Sequence, residues 1–288
     1  MARLGSKVAV ITGSSSGIGR GVAVAFAREG ADVVVNFPGS REQPDAAAVL
    51  ADIAETGRIG IAVEADVSTE AGAQALVDAA HERFGRIDIL VNNAGVAHSA
   101  AVEDIPVADW DRLIAVHVRS VFLVTRLVLP GMYARDYGRI VNTASQLAYK
   151  GAPGFAHYTA AKGAILSFTR SLALEIGQRN VNVNCVAPGA TRTPMLADVP
   201  AEVLEAIRQC AGLRVPRLRR GAPRPGAVPE PERRRRLSLI GDRTLGSWRG
   251  RIDRSGPAAR AGRRLSAEWT PCGLAAGRGG LLRDHPKA

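Results

Sequence analysis

Hydrophobic positions along the first two hundred or so residues of this 288-residue chain fall into two alternating rhythms. Short, nearly continuous apolar runs suit strands covered on both faces. Longer stretches, with apolar residues every three or four positions, suit helices lying on such strands. Residues 8–12 form the first apolar run and end in a glycine-rich turn; 18–29 have helical spacing and stop at Gly30. Residues 32–36 (DVVVN) read as a second strand, 43–56 as an Ala-rich helix, 59–65 as a third strand and 70–84 as a helix closed by Gly85. A fourth strand covers 87–91, and a long helical stretch covers 107–134, where Pro130 should bend it near the end. Strands five and six fall at 139–143 and 181–186, separated by a helix over 158–177.

Strands joined by helices of this length imply right-handed crossovers, and therefore an α/β fold with a parallel, doubly wound sheet. Such a sheet binds ligands in the crevice at the carboxyl ends of its strands. The chemistry is to be sought just after each apolar run.

This rhythm stops near residue 210. In 211–288, Arg (18), Gly (12), Ala (10) and Pro (8) supply 48 of 78 residues. That composition buries too little apolar surface to order itself. A shifted reading frame in a GC-rich gene would write such text, and so would a disordered extension. The expected organisation is a domain over 1–210 and an atypical tail over 211–288. The division also explains the net charge of +11: the tail carries 19 basic and 6 acidic residues, the rest 19 and 21. The domain therefore has no basic footprint for nucleic acid, and binding of an anionic polymer could come only from the tail. No run of 18 apolar residues is present and residues 1–7 are not a charged-then-apolar leader, so no membrane span and a cytoplasmic location are expected. Cys185, Cys210 and Cys272 are too scattered for a disulfide framework or a metal site.

After strand one comes Thr12-Gly13-Ser14-Ser15-Ser16-Gly17-Ile18-Gly19. Glycines here let the backbone approach a pyrophosphate, toward which the next helix points its unpaired N–H groups. Gly13, Ser15, Gly17, Ile18 and Gly19 are thus candidate dinucleotide contacts. Where a carboxylate at the end of strand two would favour a ribose 2′-hydroxyl, this chain has Asn36, then Ser40 and Arg41. Those side chains would tolerate a 2′-phosphate, so NADP(H) is expected over NAD(H). Asp66, with Val67 beside it, follows strand three and is a candidate adenine contact. Strand four runs into Asn92-Asn93-Ala94-Gly95, where Asn92, Ala94 and Gly95 would approach the ribose.

Ser145 ends strand five; Tyr158 lies thirteen residues on and Lys162 four beyond it, on the same helical face. An ammonium beside a phenol should lower its pKa, and the phenol could then exchange a proton with a substrate oxygen held by Ser145. These residues, in order with the glycine loop, Asn-Asn-Ala-Gly and Pro188-Gly189, closely resemble the short-chain dehydrogenase/reductase family over about residues 7–209. The text is similar to its 3-oxoacyl-thioester reductases and glucose 1-dehydrogenases. The resemblance implies a Rossmann fold and hydride exchange between a nicotinamide and a small-molecule carbonyl or alcohol. In it, Tyr158 is the acid/base, Ser145 positions the carbonyl and Lys162 anchors the ribose. Pro188, Gly189, Thr191 and Thr193 would flank the nicotinamide. It also implies a homo-oligomer, which the atypical ending puts in question. His117 stands where the family usually has a water-holding Asn, a part that imidazole can also play. A chain that binds cofactor but turns over poorly is the alternative reading.

Overall fold

The computed structural model describes residues 2–196. Six parallel strands are β1 (Val8–Ile11), β2 (Asp32–Phe37), β3 (Gly60–Glu64), β4 (Ile89–Asn92), β5 (Gly138–Thr143) and β6 (Val181–Val186). They form one sheet in the order β3-β2-β1-β4-β5-β6. The chain builds outward from β1 to β3, then crosses back to lay β4 on the other side of β1. This reversal opens a crevice beyond the carboxyl ends of β1 and β4.

The helices are α1 (Gly17–Arg28), α2 (Gln43–Ala54), α3 (Glu70–Phe84), α4 (Val107–Ile114), α5 (Ser120–Ala134), α6 (Leu147–Lys150) and α7 (Ala156–Glu175). Burial on both faces of the sheet explains the unbroken apolar runs. Ala9, Ile11, Val33 and Val35 pack with Ala23, Ala27 and Ile53 on one side. Val10, Val34, Leu90 and Ile140 pack with Leu76, Val124, Met132 and Leu172 on the other. Neighbouring residues of β1 thus serve opposite cores, as the two-residue strand period requires.

Most expected elements stand within a few residues of their expected limits. The fourth strand begins at Ile89 rather than residue 87; just before it, Asp88 is buried and its carboxylate accepts from Val8 N (3.0 Å) and from Arg86 Nε (3.0 Å). The stretch 107–134 is helical throughout but contains a π-helical turn, Ala115–Arg119, and α5 runs on through Pro130. By length and mean hydropathy (1.7), Val107–Ala134 could cross a membrane, yet half of its most apolar window is buried inside the domain. It is a core helix. The short α6 was not expected; four residues carry too little period to be seen.

Polar side chains also join the layers beneath the crevice. Asn92 donates to Thr125 (3.1 Å) and Asn142 (2.8 Å), Asn142 donates to Thr169 (2.9 Å), and all four are buried. The chain of bonds links β4 and β5 to α5 and α7. The expected boundary near residue 210, and the tail beyond it, lie outside the described residues.

Candidate active site

At the end of β1 the glycine turn is held from below. Ser14 Oγ donates to Ile11 O (2.7 Å) and accepts from Asn36 N (3.1 Å). Thr12 Oγ1 accepts from Asn93 N (2.9 Å) and Ala94 N (3.0 Å), tying the β1 and β4 loops together. Gly13 adopts φ 59°, and a Cβ there would lie 2.8 Å from Ala94 Cα, so only glycine fits. Ser16, extended at the N-cap of α1, makes no side-chain capping bond, and no acidic residue occupies the first turn. The orphan N–H groups of that turn are therefore left for an anion.

Gly13, Ser15, Gly17, Ile18, Asp66, Val67, Ala94, Gly95, His117, Ser145, Tyr158, Lys162, Pro188, Gly189, Thr191 and Thr193 all line one cleft of about 360 Å³. The expected phosphate, ribose and catalytic groups thus converge although they are spread over 180 residues of sequence. Four expected contacts are placed elsewhere. Gly19 lies beneath the turn, where a Cβ would strike Gly13 O and come within 2.7 Å of Asn93 Nδ2. Asn92 is buried in the layer-joining network, and Asn93 lines the cleft instead. Ser40 and Arg41 are exposed and do not line it.

Two residues that do line the cleft have occupied side chains. Asn36 is 1% exposed; its Oδ1 accepts from Gly13 N (3.1 Å) and its Nδ2 donates to Ala65 O (2.9 Å). It braces the glycine turn and cannot also receive a 2′-phosphate. Asp66 accepts from Ser68 N (3.0 Å) and from Arg112 Nη1 (3.0 Å), so it caps the turn before α3. Residues that sequence reasoning missed include Glu42, Arg112, Gln146, Leu147 and Phe155. Their signal is three-dimensional, for each falls on a segment with no motif of its own.

Around the catalytic group, Lys162 is buried and donates to Thr143 O (2.7 Å), with its Nζ 5.6 Å from the Tyr158 ring centre. Burial pulls its ammonium down to about 8. The expectation that this ammonium lowers the Tyr158 pKa is not met. Burial raises the phenol above its ordinary value, and a hydrogen bond from the Ser145 side chain only opposes that rise. Burial outweighs the Ser145 hydrogen bond, and Lys162, directed at the Thr143 carbonyl, does not offset it. Ser145 Oγ also accepts from Leu147 N (3.1 Å), an orientation that leaves its proton to donate.

His117 sits in the π-helical turn, 1% exposed, with its ring edge-on to Tyr158 at 5.4 Å between centres. Its Nε2 lies 2.7 Å from Val96 O, and Nδ1 has no partner among the described residues. Burial first, then the Lys162 charge, holds its pKa at about 3 against an ordinary 6.5. The folded protein therefore takes up this proton only below about 3, whereas the unfolded chain takes it up near ~6.5. Stability falls as pH drops through that window, by at most about 1.4 kcal/mol per pH unit for this one group. Urea midpoints measured across the window should decline, and His117→Asn should flatten the decline. An unchanged slope would remove His117 as its source.

A family model described as short chain dehydrogenase matches residues 7–203. D-beta-hydroxybutyrate dehydrogenase from Cupriavidus necator is 44% identical over 196 residues, which are 67% of this chain and 74% of that protein. A 3-oxoacyl-[acyl-carrier-protein] reductase from Synechocystis is 39% identical over 202 residues, 70% of this chain and 81% of that one. The solved structure of a 3-ketoacyl-(acyl-carrier-protein) reductase from Brucella melitensis, complexed with NADH, is similar at a TM-score of 0.65 and 37% identity, covering 72% of this chain and 83% of that one.

Proposed function

This chain belongs to the short-chain dehydrogenase family of hydride-transferring, nicotinamide-dependent oxidoreductases, and from that we propose that it reduces a ketone, with Tyr158 supplying the proton. One observation carries the reading: Ser145, Tyr158 and Lys162 line the same cleft as an uncapped helix N-terminus behind a glycine turn. That cradle fits a dinucleotide, which supplies the hydride when bound. The pyrophosphate would lie on the Ser16–Ile18 backbone, and Lys162 would hold the nicotinamide ribose. Thr191 and Thr193 would meet the carboxamide.

The remaining work falls to the protein's own groups. Ser145 donates to the carbonyl oxygen and stabilises the charge that develops there. Tyr158, kept protonated by burial, delivers its proton to the same oxygen. A phenol held above its ordinary pKa suits the reductive direction, in which it starts as an acid. His117, with a bare Nδ1 beside Lys162 and Tyr158, supports a water-holding part in resupplying that proton. Val96, Leu147 and Phe155 also line the cleft, which favours a ketone with an apolar substituent.

The finer choice of NADP(H) rested on Asn36, Ser40 and Arg41, and their placement supports it less than the sequence did. Residues up to about 210 are proposed to form the catalytic unit, in the cytosol and as a homo-oligomer. The test is a panel of 3-oxoacyl thioesters, acetoacetate, sugars and apolar ketones, with consumption of NADH and NADPH followed optically. Turnover of a 3-oxo or apolar ketone is expected. Dinucleotide binding without turnover of any substrate would replace this reading by that of a cofactor-binding chain.

A further inference from the structure

We propose that Glu42 sets the dinucleotide preference, and that it does so by repelling a 2′-phosphate, making NAD(H) the favoured cofactor. The inference rests on the reading of the cleft as the dinucleotide site. Glu42 lines that cleft together with Asn36 and Pro38, at the carboxyl end of β2. In a doubly wound sheet this is where the adenosine ribose is read. Glu42 comes six residues after Asn36 in the sequence, beyond the strand end where such a carboxylate is usually sought. The loop folds it back. Glu42 N donates to Gly39 O (3.1 Å), closing a short 3-10 turn over Ser40–Glu42. A Cβ on Gly39 would stand 3.8 Å from Glu42 Oε2.

Among the described residues no cation is paired with this charge, and the Glu42 carboxylate makes no side-chain hydrogen bond. Arg41 is exposed and off the cleft. Arg112 does line the cleft, but its Nη1 is bound to Asp66 (3.0 Å) and Ser68 (2.8 Å), so its charge is already matched. The Asn36 amide, the other polar group at this end, is bound to backbone on both sides. A ribose 2′-hydroxyl could donate to the Glu42 carboxylate. A 2′-phosphate would find there a like charge, with Arg112 Nη1 and the Asn36 amide already engaged.

The test titrates the full-length protein with NADH and NADPH, followed by the fluorescence of the bound reduced ring. A parallel calorimetric titration uses 5′-ADP and 2′,5′-ADP as probes. The wild type should bind NADH about tenfold more tightly than NADPH, a difference that narrows as salt is added. Glu42→Gln should close most of the gap by tightening NADPH, and the two adenosine probes should follow the same order. Equal binding of both dinucleotides by the wild type, or an unchanged ratio in Glu42→Gln, overturns the role of Glu42 alone. Selective loss of NADPH binding in Arg41→Ala would give the 2′-phosphate to Arg41 and overturn it as well. Failure of the wild type to bind either dinucleotide would bring down the cofactor reading itself, and the inference with it.

Discussion

Tyr158→Phe should abolish ketone reduction while leaving dinucleotide affinity within about twofold. The substitution removes one oxygen and keeps the ring, so the edge-on contact with His117 and the packing against Phe155 persist. The proton donor is lost, which costs about 10²–10⁴ in kcat/KM for general acid catalysis. The wild-type pH profile should show the same group. Burial raises the phenol pKa, so reduction should hold steady through neutral pH and fall only above the ordinary phenol value of ~10. Alcohol oxidation needs the deprotonated phenol and should instead rise with pH. Equal turnover by Tyr158→Phe and the wild type would remove Tyr158 from the chemistry. A fall in activity matched by a fall in NADH binding would mean that the ring's role is structural.

The second large effect is expected beneath the phosphate turn. Gly19→Val should lower dinucleotide affinity by at least about a hundredfold and cost about 1–3 kcal/mol of stability. A side chain at residue 19 runs into Gly13 O, into Ser14 Cα at 2.8 Å and into Asn93 Nδ2 at 2.7 Å. Two of these neighbours are backbone, so the strain cannot be relieved by turning a rotamer. The turn must rise toward the space reserved for the pyrophosphate. Calorimetric titration with NADH and a thermal melt measure the two parts separately. Near-normal affinity would show that the turn has more freedom than its hydrogen bonds suggest. Gly21→Val is the control: a Cβ at residue 21 meets nothing within 4 Å, and since valine is no worse a helix former than glycine, affinity and stability should stay near those of the wild type.

The fold was legible because parallel strands buried on both faces leave unbroken apolar runs, and β1, β2 and β4 are written that way. The catalytic residues were legible because i, i+4 spacing fixes Tyr158 and Lys162 on one face of α7 whatever surrounds them. Spacing does not reveal what else a side chain holds. Asn36 and Asp66 occupy the expected places, but their polar atoms are bound to the glycine turn, Ser68 and Arg112. The Tyr158 pKa failed for a similar reason. Sequence shows that an ammonium is near, whereas the balance is decided by desolvation, which depends on the packing of the whole crevice. Glu42 was passed over because the turn that folds it back over Gly39 has no hydrophobic period to announce it.

The buried run of amide and hydroxyl groups from Asn92 through Asn142 to Thr169 has a mechanical meaning. Apolar layers can slide across one another at little cost, since one methyl group is much like the next. Directional bonds that cross from strand to strand and strand to helix permit only one alignment, and leaving it exposes unsatisfied groups in a dry interior. The segment carrying Ser145 and the helix carrying Tyr158 are therefore locked in a common frame. The gap between hydroxyl and phenol is then set when the chain folds, rather than when a substrate arrives.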